Sequence, residues 1–138
     1  MADTLLRRAR SESGLTLLEL LIVLIVMAIL IAIAVPAYLK FTERANDSAA
    51  AANLRAVLPA VAAFKADNDD AGGYAQLRIA TLKSTYDSGI VDWDAARGTG
   101  VTVLSKSANT YCIESVAGGS TYYQAGPGQP IVTSPACT

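Results

Sequence analysis

Three regimes of hydrophobic and polar patterning divide the chain. Residues 1–14 are mostly polar and rich in basic side chains. Residues 17–39 are apolar except for Glu19 and Pro36, and residues 20–35 form an unbroken hydrophobic run. A helix rising about 1.5 Å per residue carries this segment about 35 Å, enough for a bilayer core of about 30 Å. From Tyr38 to about Ala66 the sequence becomes alanine-rich with scattered charges, and Leu54, Val57, Leu58, Val61 and Phe64 fall on one stripe of helical period. The pattern predicts that the apolar helix continues outward as an amphipathic one, about 50 residues and roughly 75 Å in all. Pro36 and Pro59 each remove one backbone hydrogen bond, which predicts kinks rather than stops. The acidic, turn-forming stretch DNDDAGG (residues 67–73) ends the helix.

Residues 74–100 carry a mixed pattern that predicts a short helix or an irregular loop. Leu77, Ile79, Leu82, Tyr86, Ile90 and Trp93 are its core candidates. After Gly100 the pattern changes to strands: VTVLS (101–105), TYCIESV (110–116) and TYYQA (121–125), rich in β-branched and aromatic residues. KSAN and AGGS between them read as hairpin turns. Tyr122 and Tyr123 project to opposite faces of their strand, so one is expected to face solvent or another subunit. The expected fold class is α+β, with a long N-terminal helix packed on a small antiparallel β-meander.

Composition bounds the function more than the fold. At 138 residues the chain supports one domain plus an appendage. Its 12 acidic and 11 basic residues nearly balance, which argues against nucleic-acid binding by bulk charge. Arg7, Arg8 and Arg10 precede the apolar segment while Lys40 and Arg44 follow it, a bias that keeps the N-terminus in the cytoplasm. The chain has no histidine, the commonest general base and metal ligand. Its serines show no nucleophile elbow, and its glycine pairs read as turns rather than phosphate-binding loops. No catalytic role and no cofactor are expected. Cys112 and Cys137 can pair if the C-terminal part is exported, whereas in the cytosol they would stay free thiols; their spacing has no metal-ligand form.

Glu19 is the anomaly of the apolar segment. A carboxylate carried to the bilayer centre costs up to about 2.5–3.5 kcal/mol, and residues 15–39 contain no Lys or Arg to neutralise it. Its setting is a short basic leader, Gly14, Glu19, an unbroken hydrophobic stretch and Pro36 near its end. Residues 13–38 thereby resemble the N-terminus of type IV prepilins and of the related pseudopilins of type II secretion. The resemblance implies cleavage between Gly14 and Leu15 by a membrane-embedded peptidase that also N-methylates the new terminus at Leu15. The family usually carries phenylalanine or methionine there, so Leu15 departs from its commonest pattern. The resemblance also implies that Glu19 meets the terminal amine of a neighbouring subunit as helices bundle in a filament. Such a pair has a Coulomb term of about 4 kcal/mol at 4 Å and an effective dielectric near 20, before desolvation. Pro36 is either a tolerated membrane-helix proline or a point where the helix loosens on passing from bilayer to filament.

The organisation that follows is a leader (1–14), a transmembrane and filament-core helix (15–39), its amphipathic continuation (40–66), an αβ-loop region (67–100) and a β-meander (101–138). The C-terminal pattern TYCIES…GGSTYYQ…PGQP…C also resembles small pilins of Gram-positive bacteria, which favours a loop closed by Cys112 and Cys137. The implied partners are the chain itself and related pilins, the prepilin peptidase, an assembly platform with its ATPase, and membrane lipid before assembly. The implied location is the cytoplasmic (inner) membrane, then a cell-surface filament. Rival readings are a short secretion or DNA-uptake pseudopilus, a non-polymerising anchored binding domain, and a secreted domain released by signal peptidase after Ala37. Calcium at residues 67–70 lacks the EF-hand spacing, so a solvated helix end is expected there. Tyr38, Phe41 and Phe64 are expected to be packing residues rather than carriers of charge.

Overall fold

The computed structural model describes residues 15–134 and 137. The expected leader, including Gly14, lies outside the described residues. The chain divides into two units, residues 1–39 and residues 40–138. Helix α1 (Leu17–Asp67) runs through Pro36 and Pro59 without an assigned break.

In the first unit the side chains of residues 15–39 are exposed throughout. Leu, Ile, Val and Met occupy most positions around the helix rather than one stripe, so no face is set apart as polar. It is the one helix among the described residues long and apolar enough to cross a membrane, and none of its most apolar window is buried.

In the second unit α1 becomes amphipathic. Ala50, Leu54, Val57, Ala60, Val61 and Phe64 are buried, and Leu58 lies half-buried at the edge of the stripe. Asn68 closes the helix, its backbone N–H and its side-chain Nδ2 both donating to the Phe64 carbonyl. A single 3-10 turn (Gly73–Gln76) and a short helix α2 (Ile79–Thr85) follow, placing Tyr74, Leu77, Ile79 and Leu82 in the core.

Three antiparallel strands complete the fold in the order β1-β2-β3: β1 (Gly100–Lys106), β2 (Tyr111–Ala117) and β3 (Ser120–Ala125). The connection of β2 to β3 is the two-residue turn Gly118–Gly119, with φ of 54° and 92°. Both residues take positive φ, as a primed hairpin turn requires. A Cβ at Gly118 would also run into the Asn46 side chain of α1, whose Nδ2 donates to the Gly118 carbonyl at 3.1 Å. Glycine therefore serves two purposes there: it permits the turn and lets helix and hairpin approach.

Cross-strand register explains which side chains reach the helix. Val101 sits opposite Ser115 and Val103 opposite Ile113, so they share one face. That face supplies Val101, Tyr111 and Ile113 to the core, with Val103 and Tyr122 packed against it. The register slips between Val103 and Ser105, leaving Leu104 as the bulged, half-exposed residue. The Tyr74 and Tyr111 rings meet edge-on at 4.8 Å, and Phe64 meets Tyr86 at 6.1 Å.

One sequence expectation fails. Trp93 is not in the core but 44% exposed, because the backbone on either side of it is pinned by bridges Asp92–Val101 and Asp94–Thr99. Of the three aromatics along α1, only Phe64 packs inside the chain; Tyr38 and Phe41 are exposed.

Candidate functional site

The chemistry of the N-terminal segment begins with a capping box. The Glu19 backbone N–H donates to Thr16 Oγ1 at 3.2 Å, while Glu19 Oε2 accepts from the Thr16 N–H at 2.9 Å and from its hydroxyl at 3.0 Å. Thr16 thus satisfies one orphan donor of the first helical turn, and Glu19 folds back to satisfy another. A carboxylate near a helix N-terminus also complements the helix dipole. The signature Thr-Leu-Leu-Glu was legible in the sequence as a capping box, and sequence reasoning passed over Thr16.

This geometry changes what Glu19 needs. Both hydrogen bonds to the carboxylate use Oε2, and Oε1 makes no hydrogen bond or ion pair among the described residues. An ionised carboxylate has about four lone-pair sites, so capping leaves capacity for a cation. Within residues 15–39 the sequence offers none, and Lys40 is the first basic residue beyond. Leu15, where a new terminus would begin, is 72% exposed just ahead of the capping box. Pro36 lies within α1, far along the chain from Thr16 and Glu19, and the structure does not join it to them.

Cys112 and Cys137 form a disulfide, with Cα atoms 5.8 Å apart. Cys112 is buried on the sheet face opposite Ile113, so the bond fastens the C-terminal segment across the side of the sheet away from the core. Val132 pairs with Tyr123 through two backbone hydrogen bonds, and Gln124 Nε2 reaches the Gln129 carbonyl at 3.1 Å. The acidic stretch that begins at the last residue of α1 is put to structural use. Asp69 pairs with Lys65, and Asp67 accepts a hydrogen bond from the Tyr86 hydroxyl at 2.9 Å. No cluster of potential metal ligands occurs among the described residues.

Residues 9–35 match the family model of the prokaryotic N-terminal methylation motif. The chain is 32% identical over 124 residues to the type IV wide pilus major component of Thermus thermophilus, covering 88% of this chain and 87% of that one. The chain belongs to the type IV pilin family. A second pilin, the type IV major pilin protein of Myxococcus xanthus, is 43% identical over 56 residues, 41% of this chain and 26% of its own length. The pilin described here is accordingly a structural subunit of a pilus and not an enzyme. Its long helix on a three-stranded antiparallel sheet is the architecture that the sequence predicted.

Proposed function

We propose that this pilin is made with a leader that a prepilin peptidase removes between Gly14 and Leu15, that Leu15 is N-methylated, and that the mature chain polymerises through its apolar helix into a surface filament. Before assembly the same helix anchors the chain once through the cytoplasmic membrane, with its N-terminus inside. An assembly platform and its ATPase then draw it into the fibre.

One observation carries this reading: an exposed apolar helix segment that opens on a capped carboxylate, with no Lys or Arg in residues 15–39 to neutralise it. Lipid can cover the apolar surface, and so can the same surface on other copies. Cleavage after Gly14 supplies the missing cation as a Leu15 amine, and the resemblance to pilins assigns a neighbour's amine, rather than the chain's own, to Glu19. Glu19 keeps Oε2 on Thr16 and offers Oε1 to the Leu15 amine of a neighbour. That amine does not exist until the bond after Gly14 is cut, so cleavage licenses assembly. The apolar surface supplies adhesion without direction, and the ion pair supplies axial register. In a low-dielectric bundle such a pair is favourable only when hydrogen bonds satisfy the rest of the carboxylate, and Thr16 provides them.

Mass spectrometry of the chain from cells tests the processing. The expected N-terminus is Leu15 carrying one methyl group; a terminus at Tyr38 or at residues 1–2 overturns it. The pairing is tested by Glu19→Gln, which keeps a capping acceptor but removes the charge. Filament yield in sheared material should fall at least tenfold while membrane insertion is unchanged, and normal yield would sink the ion pair.

A further inference from the structure

Trp93 stands outside both the core and the assembly helix. It lies in an open cleft of about 460 Å³ on the second unit, bordered by Lys83, Val91, Asp92, Asp94 and Arg97. Val91 and Trp93, two residues apart on an extended segment, are 43% and 44% exposed. An exposed indole forfeits a large burial gain that the fold could have used. We infer that the Trp93 cleft is a carbohydrate-binding site that takes a neutral pyranose ring against the indole face.

Three features favour that ligand. First, the platform is rigid. Val101 N–H donates to the Val91 carbonyl at 2.8 Å, and the bridges at Asp92 and Asp94 hold the backbone on both sides of Trp93. The aromatic side chain is thus presented by a strand edge rather than by a free loop, and little ordering cost remains on binding. Second, the rim is balanced in charge: Lys83 and Arg97 offset Asp92 and Asp94. A phosphate or nucleic-acid ligand calls for a net positive site, whereas a polyol needs donors and acceptors side by side. Third, those groups are both present and not fully used. Asp92 Oδ1 accepts from the Trp93 backbone N–H at 2.8 Å, and Oδ2 makes no hydrogen bond or ion pair among the described residues. Lys83 Nζ likewise has no hydrogen bond or ion pair there. Asp94 is held by the Ala96 and Arg97 N–H groups and by the Arg97 side chain, which fixes the far wall. A pyranose presents an apolar C–H face to stack on the indole and an equatorial hydroxyl edge to reach a carboxylate and an ammonium. Its volume falls in the range of small-ligand pockets, about 300–1,000 Å³, and its lining is more polar than that of most such pockets, as a polyol ligand calls for.

The inference goes beyond the filament reading and is tested apart from it. Trp93 is the single tryptophan, so indole fluorescence reports on this cleft alone. The full chain, in a detergent without a sugar headgroup, is titrated with cellobiose, maltose and N,N′-diacetylchitobiose. A saturable emission shift at millimolar sugar is expected for at least one of them. Lys83→Ala, which removes an exposed and unpaired group, should weaken it several-fold. Saturation-transfer NMR should show the sugar's C–H protons contacting the wild-type chain and not Trp93→Ala. Absence of any shift with all three sugars overturns the site. So does an emission shift that occurs only on polymerisation, which would assign the patch to a contact between copies. Normal filament yield from Glu19→Gln, with sugar binding intact, would sink the ion pair of the assembly reading and leave this site standing.

Discussion

Single residues show how little slack the second unit has. Tyr86 joins two elements: its ring packs on Phe64 and its hydroxyl donates to Asp67 near the end of α1. The hydrogen bond to Asp67 is the main cause that raises the phenol's pKa above its ordinary value, with smaller contributions from burial and the Asp67 charge. A raised folded pKa means that the neutral phenol is the form the fold prefers. The contribution is therefore fully present below the unfolded value of about 10 and is lost as pH rises through the folded one. Tyr86→Phe should cost stability at neutral pH and should also flatten the alkaline loss. Urea midpoints of both proteins at pH 7 and above pH 10 should converge, and parallel curves would count against this account. At the same scale, Thr16 shows how a residue becomes functional through its neighbour. Its N–H and hydroxyl both donate to Glu19 Oε2, which sets which oxygen of Glu19 is left to offer.

At the scale of elements, the C-terminal strap is the least regular part and the most dependent on covalent help. It is tied to β3 by one backbone pair at Tyr123 and Val132 and one side-chain contact at Gln124, and to β2 by the Cys112–Cys137 bond. Closing a loop of this size stabilises a fold by roughly 3.5 kcal/mol in the chain-entropy model. The double variant Cys112→Ser with Cys137→Ser should lose about that much. Hydrogen exchange at the Val132 amide should rise well before exchange in β2 does. Equal protection in the two proteins would show that the strap holds without its bond. The strands themselves need less support, since β2 is paired on both sides and buries Tyr111, Cys112, Ile113, Ser115 and Ala117.

For the molecule as a whole, the two units answer to different solvents. Residues 40–138 bury a shared core in which Leu54, Leu77, Leu82, Val101 and Ile113 are fully enclosed. Leu54→Ala should cost about 2–5 kcal/mol. In detergent it should lower the melting temperature of the sheet signal while helical circular dichroism from residues 17–39 persists above that melt. Simultaneous loss of both signals would mean that the apolar helix depends on the second unit for its own folding. The persistence expected rests on the helix satisfying its backbone groups internally, which suits it to an apolar surrounding.

Much of this protein was legible in one dimension because the governing physics is periodic or local. Long apolar runs, a 3.6-residue stripe at Leu54, Val57 and Val61, period-two strands and a Gly-Gly turn each depend on neighbours a few positions away. The capping box at Thr16 and Glu19 was equally local and could have been read from spacing alone. Three matters were decided only by tertiary structure. Trp93 carries a core residue's hydrophobicity, but bridges from Asp92 to Val101 and from Asp94 to Thr99 pin its backbone and leave it half-exposed, which hydrophobic pattern alone does not encode. Gly118 owes its identity partly to Asn46, far away in sequence, whose side chain fills the space a Cβ would need. The pairing of Cys112 with Cys137 required the tail to turn back onto the sheet, and the chain alone left a free-thiol state open. The sequence by itself determined which segments are apolar, helical or extended; the fold decided which of their side chains meet, because contacts between distant residues depend on packing rather than on period.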